Sequence, residues 1–134
     1  MKDALLVALG GALGSVLRWG VVWGASRLPR AAGFPWGTLG VNLAGSCAIG
    51  FVLTLAFERG LVAPGTRLFL VTGVLGGFTT FSAFSWETLV LVRDGHGLAA
   101  SGYVAGSVLG GLAAALLGSS VAARLGITIA TLAG

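Results

Sequence analysis

The sequence predicts an all-α membrane protein, residues 1–134 forming a single transmembrane domain of four membrane-crossing helices. Three observations point there. The 134 residues are 56% hydrophobic and 9% charged, with a mean hydropathy of +0.99, whereas a soluble domain carries about 25% charged residues. The few charges stand between four apolar runs, each long enough to cross ~30 Å of hydrocarbon as a helix, which takes about 20 residues. What is left between the runs is short and leaves no room for a soluble domain. The same composition excludes an ordinary soluble enzyme, a disordered chain and a nucleic-acid binder. The formal net charge is +4, but the basic residues are scattered singly, with no run that could track phosphates. The one cysteine, Cys47, lies in an apolar stretch and belongs to no disulfide framework or Cys/His metal set.

The spans are expected at about 4–26, 36–57, 68–92 and 98–123. Ala4–Ala25 is apolar apart from Ser15 and Arg18. It could be misread as a secretory signal, but Asp3, Arg18, Trp19, Trp23 and three later spans argue for a retained helix. Trp36–Phe57 runs 22 residues without a charge; Leu68–Trp86 runs 19 before Glu87 interrupts, and Thr88–Val92 continues; Leu98–Ala123 runs 26. The loops fall near Arg27–Pro35, Glu58–Arg67 and Arg93–Gly97. They take Pro29, Pro35 and Pro64, where no buried helix is broken. Trp19, Trp23, Trp36 and Trp86 lie towards span ends, as interfacial anchors do.

Four spans put the N-terminus, the middle loop and the C-terminus on one side. That side carries Lys2, Arg59, Arg67 and Arg124; the other carries Arg27, Arg30 and Arg93, with Arg18 inside a span. Orientation follows the Lys/Arg imbalance across short loops, and four against three is almost none. Two readings stay open on these counts: a weakly biased single topology, or insertion both ways round with pairing as an antiparallel, dual-topology homodimer. Four helices alone have few walls for a pathway, and no duplicated half is visible, so an inverted repeat would have to come from a second copy.

Within the spans, Gly10/Gly14, Gly20/Gly24, Gly73/Gly77 and Gly106/Gly110 are small-xxx-small pairs, read as close helix packing and oligomerisation. Thr38, Asn42, Gly45 and Ser46 share one face of the second span. An amide in hydrocarbon needs partners, so Asn42 reads as an interhelical hydrogen bond or a ligand contact. Tyr103 and Ser107 make a second polar pair, at i, i+4. The third span carries Gly73-Val74-Leu75-Gly76-Gly77-Phe78-Thr79-Thr80-Phe81-Ser82-Ala83-Phe84-Ser85, a poor helix centre by propensity. A break there would release backbone carbonyls at mid-membrane, where irregular backbone commonly holds an ion; oxygen ligands suit a hard cation. The alternative is an intact helix with a small-residue face. Phe81 and Phe84, at i, i+3, read as core filling or as rings whose electropositive edges could solvate a small anion weakly. Arg18 and Glu87 are the ionisable residues inside or bordering spans and are functional candidates by default. Arg18 either reaches a vestibule or snorkels; Glu87 caps the third span or faces a vestibule; a mutual pair is a further option. His96 receives no role.

These residues together resemble the CrcB/Fluc family of fluoride channels. The likeness covers essentially the whole chain: Gly10-Gly11-Ala12-Leu13-Gly14 leading to Arg18, Gly37-Thr38-Leu39-Gly40-Val41-Asn42 with Gly45 and Gly50, and Gly76 to Phe84, the most specific stretch. The resemblance implies a dual-topology, antiparallel homodimer in a prokaryotic inner membrane. Two passive, fluoride-selective pores would export cytoplasmic fluoride to reduce its toxicity, with a structural sodium ion at the dimer centre and no enzymatic activity. It also implies residue roles: carbonyls of Gly76 and Thr79 for sodium; rings of Phe81 and Phe84 and the amide of Asn42 for the pore; Arg18 for the first helix. Tyr103, Ser107, Thr38 and Ser82 would lie near a track of hydroxyls, and Glu87 at the glutamate after the motif. Two departures thin that track: Ala83 stands where the family usually has threonine, and Gly111 follows Ser107 by one turn. The alternatives from other classes are a small dual-topology, proton-coupled exporter of cationic compounds, which would want a carboxylate in mid-helix, and a non-transporting assembly subunit.

Overall fold

The computed structural model describes residues 1–27 and 33–132, with side chains through residue 125; Pro29 and Arg30 lie outside the described residues. Among the described residues every regular element is helical: α1 (Lys2–Ser26), α2 (Trp36–Leu53), α3 (Pro64–Arg67), α4 (Gly76–Phe78), α5 (Phe81–Arg93) and α6 (Gly97–Leu132). α2 continues through a wider π-helical turn, Thr54–Glu58, and α3 is joined to α4 by a π-helical stretch, Leu68–Leu75. They make four helical segments apolar enough to cross a membrane, Lys2–Ser26, Trp36–Glu58, Pro64–Arg93 and Gly97–Leu125. Each is a little longer than the apolar run that announces it, because a helix carries its geometry past the hydrocarbon into the polar boundary. Pro64 is not in a loop, as expected above, but opens the third span at its first helical position. There its missing N–H costs nothing, since the first helical N–H groups have no partner within the helix. The third span ends at Arg93 and turns into the fourth through Gly95, whose φ of +79° is open to glycine with no steric penalty.

Close approach of backbones sets the packing. The first and third spans cross through glycine. A β carbon at Gly10 would stand 2.6 Å from the Phe69 carbonyl oxygen and 2.9 Å from the Gly73 Cα, and one at Gly14 would strike the Val74 carbonyl. The second and fourth spans meet the same way, Gly50 against the Ala115 carbonyl and Gly118 against that of Cys47. Side chains add two ties along this seam, Thr54 Oγ1 donating to Ser119 Oγ (2.8 Å) and Arg59 Nη2 to the Ala123 carbonyl (3.0 Å). Not every glycine pair is used so. A β carbon at Gly20, Gly24 or Gly106 would meet nothing within 4 Å among the described residues, so these glycines mediate no packing there. Only 6–17% of each span's most apolar window is buried. The remaining apolar surface is what a bilayer, or another copy of the chain, covers.

The third span is not uniform. Between α4 and α5, Thr79 (φ −79°, ψ 157°) and Thr80 (φ −150°, ψ 124°) are extended, which interrupts the helical hydrogen-bond ladder in the middle of the span.

Candidate functional site

Two extended residues in a helix leave peptide groups that must find partners elsewhere, because an unpaired buried group costs about as much as a lost hydrogen bond or more. In a continuous helix the Thr80 N–H would donate to the Gly76 carbonyl. Here it donates to Asn42 Oδ1 (2.9 Å), and Asn42 Nδ2 donates back to the Thr80 carbonyl (3.0 Å). The Ala83 N–H, whose helical acceptor would be the Thr79 carbonyl, instead donates to Thr80 Oγ1 (3.2 Å), so Thr80 caps the N-terminus of α5. Upstream, the Thr79 N–H (3.0 Å) and hydroxyl (2.9 Å) both donate to the Leu75 carbonyl and close the preceding turn. The Thr80 and Ala83 N–H groups are thus diverted from the Gly76 and Thr79 carbonyls, their α-helical acceptors. Gly45, one turn after Asn42, lies against the Thr79 methyl with no room for a side chain. A cleft of about 320 Å³ runs along this junction, lined among others by Asn42, Ser46, Gly76, Thr79 and Phe81.

A second cluster lies one to two turns further along the third span. Glu87 accepts from two hydroxyls on two other spans, Thr38 Oγ1 at Oε1 (2.7 Å) and Tyr103 OH at Oε2 (2.6 Å). Thr38 is 2% and Tyr103 0% exposed. The phenol is enclosed by aromatic rings, with Phe84 at 5.2 Å and Phe34 edge-on at 5.5 Å between centroids, and Phe84 continues to Phe81 at 5.6 Å. Glu87 lies between two cavities: one of about 370 Å³ with Phe34, Trp86, Asp94 and His96, and one of about 190 Å³ with Val22, Ser26 and Thr38. It therefore neither caps the end of the span nor pairs with Arg18. Both its oxygens are taken by hydroxyls, and no Arg18–Glu87 ion pair occurs among the described residues.

The sequence candidates thus fall into two groups that share one aromatic seam: Asn42 with Gly76, Thr79 and Phe81, and Thr38 with Glu87, Tyr103 and Phe84. Ser107 lies one turn beyond Tyr103, its hydroxyl buried without a partner. Ser82 is exposed, 3.3 Å from the Thr80 hydroxyl. Arg18 is half-buried on the first span and joins neither group. Gly111 faces the second span: the Ser46 hydroxyl stands 3.5 Å from where its β carbon would be. Sequence reasoning passed over Thr80, the residue that organises the interruption through N–H, carbonyl and hydroxyl together. The signal available was a threonine directly before a run with helical periodicity, the usual place of an N-cap.

Comparison with known proteins adds the following. The family described as "CrcB-like protein, Camphor Resistance (CrcB)" matches residues 5–119. The chain is 48% identical over 113 residues to a protein of Chloroflexus aurantiacus named fluoride-specific ion channel FluC, covering 84% of this chain and 88% of that one. It is 53% identical over 114 residues to the protein of the same name from Chlorobaculum tepidum, with the same coverages. With the one from Thermus thermophilus it shares 54% over 109 residues, 81% of this chain and 84% of the other.

Proposed function

The chain belongs to the CrcB-like family, and from that membership we infer that it is a multi-pass membrane protein that conducts fluoride passively. The observation that carries this reading is identity of 48–54% with channels named for fluoride over four-fifths of the chain or more. The exporter reading has no such support, and the only carboxylate well inside a span, Glu87, is held by two hydroxyls.

The chemistry asked of such a protein is small. Hydrogen fluoride is a neutral weak acid that crosses bilayers and ionises inside the cell, where the anion is trapped. A selective pore in the inner membrane lets it leave, driven by a negative-inside potential worth about 2.3 kcal/mol per elementary charge per 100 mV. No nucleophile or energy-coupling group is needed. The pore must offer weak donors in a narrow space. Asn42 Nδ2 gives one hydrogen to the Thr80 carbonyl and keeps its second for an anion; the edges of Phe81 and Phe84 are electropositive; the hydroxyls of Thr38, Ser82, Tyr103 and Ser107 continue the path.

One chain leaves this path open. Phe81 is 79% exposed, and the Asn42 cleft is a groove rather than a tube. A second copy closes it, and the near-tie of four against three loop cations favours a partner inserted the other way round. We read the extended Thr79–Thr80 pair as the break of the third helix, at the dimer centre. The Gly76 and Thr79 carbonyls, whose helical donors are diverted, fit a hard monovalent cation, and the resemblance makes it sodium. When bound, it would supply fixed positive charge and hold two interruptions together.

Fluoride efflux from liposomes, read with an ion-selective electrode beside a chloride control, tests the function. Rapid fluoride release with no matching chloride release is expected; release of neither, or of both at similar rates, would overturn the reading.

A further inference from the structure

We propose that Asn42 is a positioning residue for the central cation: by occupying both the N–H and the C=O of Thr80, it keeps the Gly76 carbonyl out of a continuous helix and available as a ligand beside that of Thr79, whose own helical donor is taken by the Thr80 hydroxyl. The inference rests on the cation reading given above and adds a role for Asn42 beyond that of a donor to the anion.

The geometry supplies the argument. Thr80 is 9% exposed, so water is a poor substitute and its N–H and carbonyl must bond to protein. The nearest competing acceptor for that N–H is the Gly76 carbonyl, one helical turn back. Whichever oxygen takes the N–H decides whether the Gly76 carbonyl is spent within the helix or free for a ligand. Asn42 wins by offering two bonds at once, at 2.9 and 3.0 Å: its amide carries both the acceptor and the donor that the N–H and C=O of one extended residue require. Its own position is fixed from below and beside. Val41 is fully buried, and Gly45 lies so tightly on the Thr79 methyl that no side chain fits between. The second span is therefore locked against the interruption at the height where Asn42 reaches Thr80. Without the amide, the Thr80 N–H can return to the Gly76 carbonyl and withdraw it from the centre. The anion path and the cation site would then share one side chain, each face of its amide serving one of them.

The test uses purified full-length dimer in detergent, melted in NaCl and in KCl at equal ionic strength. The wild type is expected to melt higher in sodium than in potassium, saturably. Asn42→Ala is expected to lose that difference, or to need at least tenfold more sodium for it. Thr54→Val removes a hydrogen bond lower on the same span (Thr54 to Ser119); it should melt lower in both salts with the sodium increment intact. If the wild type shows no sodium increment, the cation reading itself is overturned. If the wild type shows it and Asn42→Ala keeps it unchanged, the positioning role alone is overturned, as it is if Thr54→Val loses the increment equally. Should Asn42→Ala fail to assemble, Asn42→Ser is read in the same way. Failure of both to assemble in either salt also counts against the proposal, which confines the role to the interruption.

Discussion

Tyr103 donates a 2.6 Å hydrogen bond to Glu87 Oε2 from the next span along the chain, while Thr38, on a third span, holds the other oxygen of the same carboxyl at 2.7 Å. One half-buried side chain therefore ties three spans through two buried hydroxyl-bearing residues. Removing a partner takes one hydrogen bond from a half-buried carboxyl, at a cost of about 0.5–1.5 kcal/mol. Tyr103→Phe and Thr38→Val are each expected to lower the midpoint of thermal unfolding in detergent. Because they share one acceptor, the double variant should depart from additivity by at least about 0.5 kcal/mol. Strict additivity would mean that the two hydroxyls do not depend on one another.

The glycines divide into those that bring backbones together and those that do not. At Gly14 a β carbon would strike the Val74 carbonyl, and at Gly77 it would stand 2.5 Å from the Gly11 carbonyl oxygen, whereas at Gly20 it meets nothing. Gly14→Ala or Gly77→Ala must push two backbones apart, an overpacking cost of about 1–3 kcal/mol. Gly20→Ala gains helix propensity and should be neutral or slightly stabilising. Unfolding midpoints of the three variants check the contrast, which fails if Gly14→Ala and Gly20→Ala behave alike.

The spans were legible because a bilayer imposes a length on apolar runs, and the few charges mark where each run ends. The weak point of the third span was legible as well, since glycine and threonine are poor helix formers. What could not be read was the partner that Thr80 finds. Asn42 lies 38 residues away, and periodicity fixes the face a residue occupies but not the height at which two helices cross. Glu87 shows the same limit. Opposite charge suggests Arg18, yet the register of the spans brings two hydroxyls to the carboxyl instead. Thr38 and Tyr103 were both candidates, but nothing in spacing says they share an acceptor.

Phe81 offers a clean test of the aromatic path. It is 79% exposed and touches Phe84 at 5.6 Å between centroids, so replacing it removes a ring edge without opening a cavity in the protomer. Phe81→Ile is expected to leave the protomer folded and to slow fluoride efflux from liposomes at least tenfold. Efflux at the wild-type rate would remove Phe81 from the path.

Orientation is the remaining lever. With Lys2, Arg59, Arg67 and Arg124 on one side and Arg27, Arg30 and Arg93 on the other, a small change in charge should tip insertion one way. Asp94→Arg with His96→Arg adds two cations to the side that has three, and Lys2→Gln takes one from the side that has four. The counts then stand at five against three. An antiparallel pair needs both orientations, so this triple variant should label from one side only and lose most fluoride efflux when expressed alone. Co-expression with a chain biased the opposite way should restore it. Full efflux from a chain that labels strictly from one side would show that both protomers can face the same direction, and the two-way insertion inferred from the loop charges would fall.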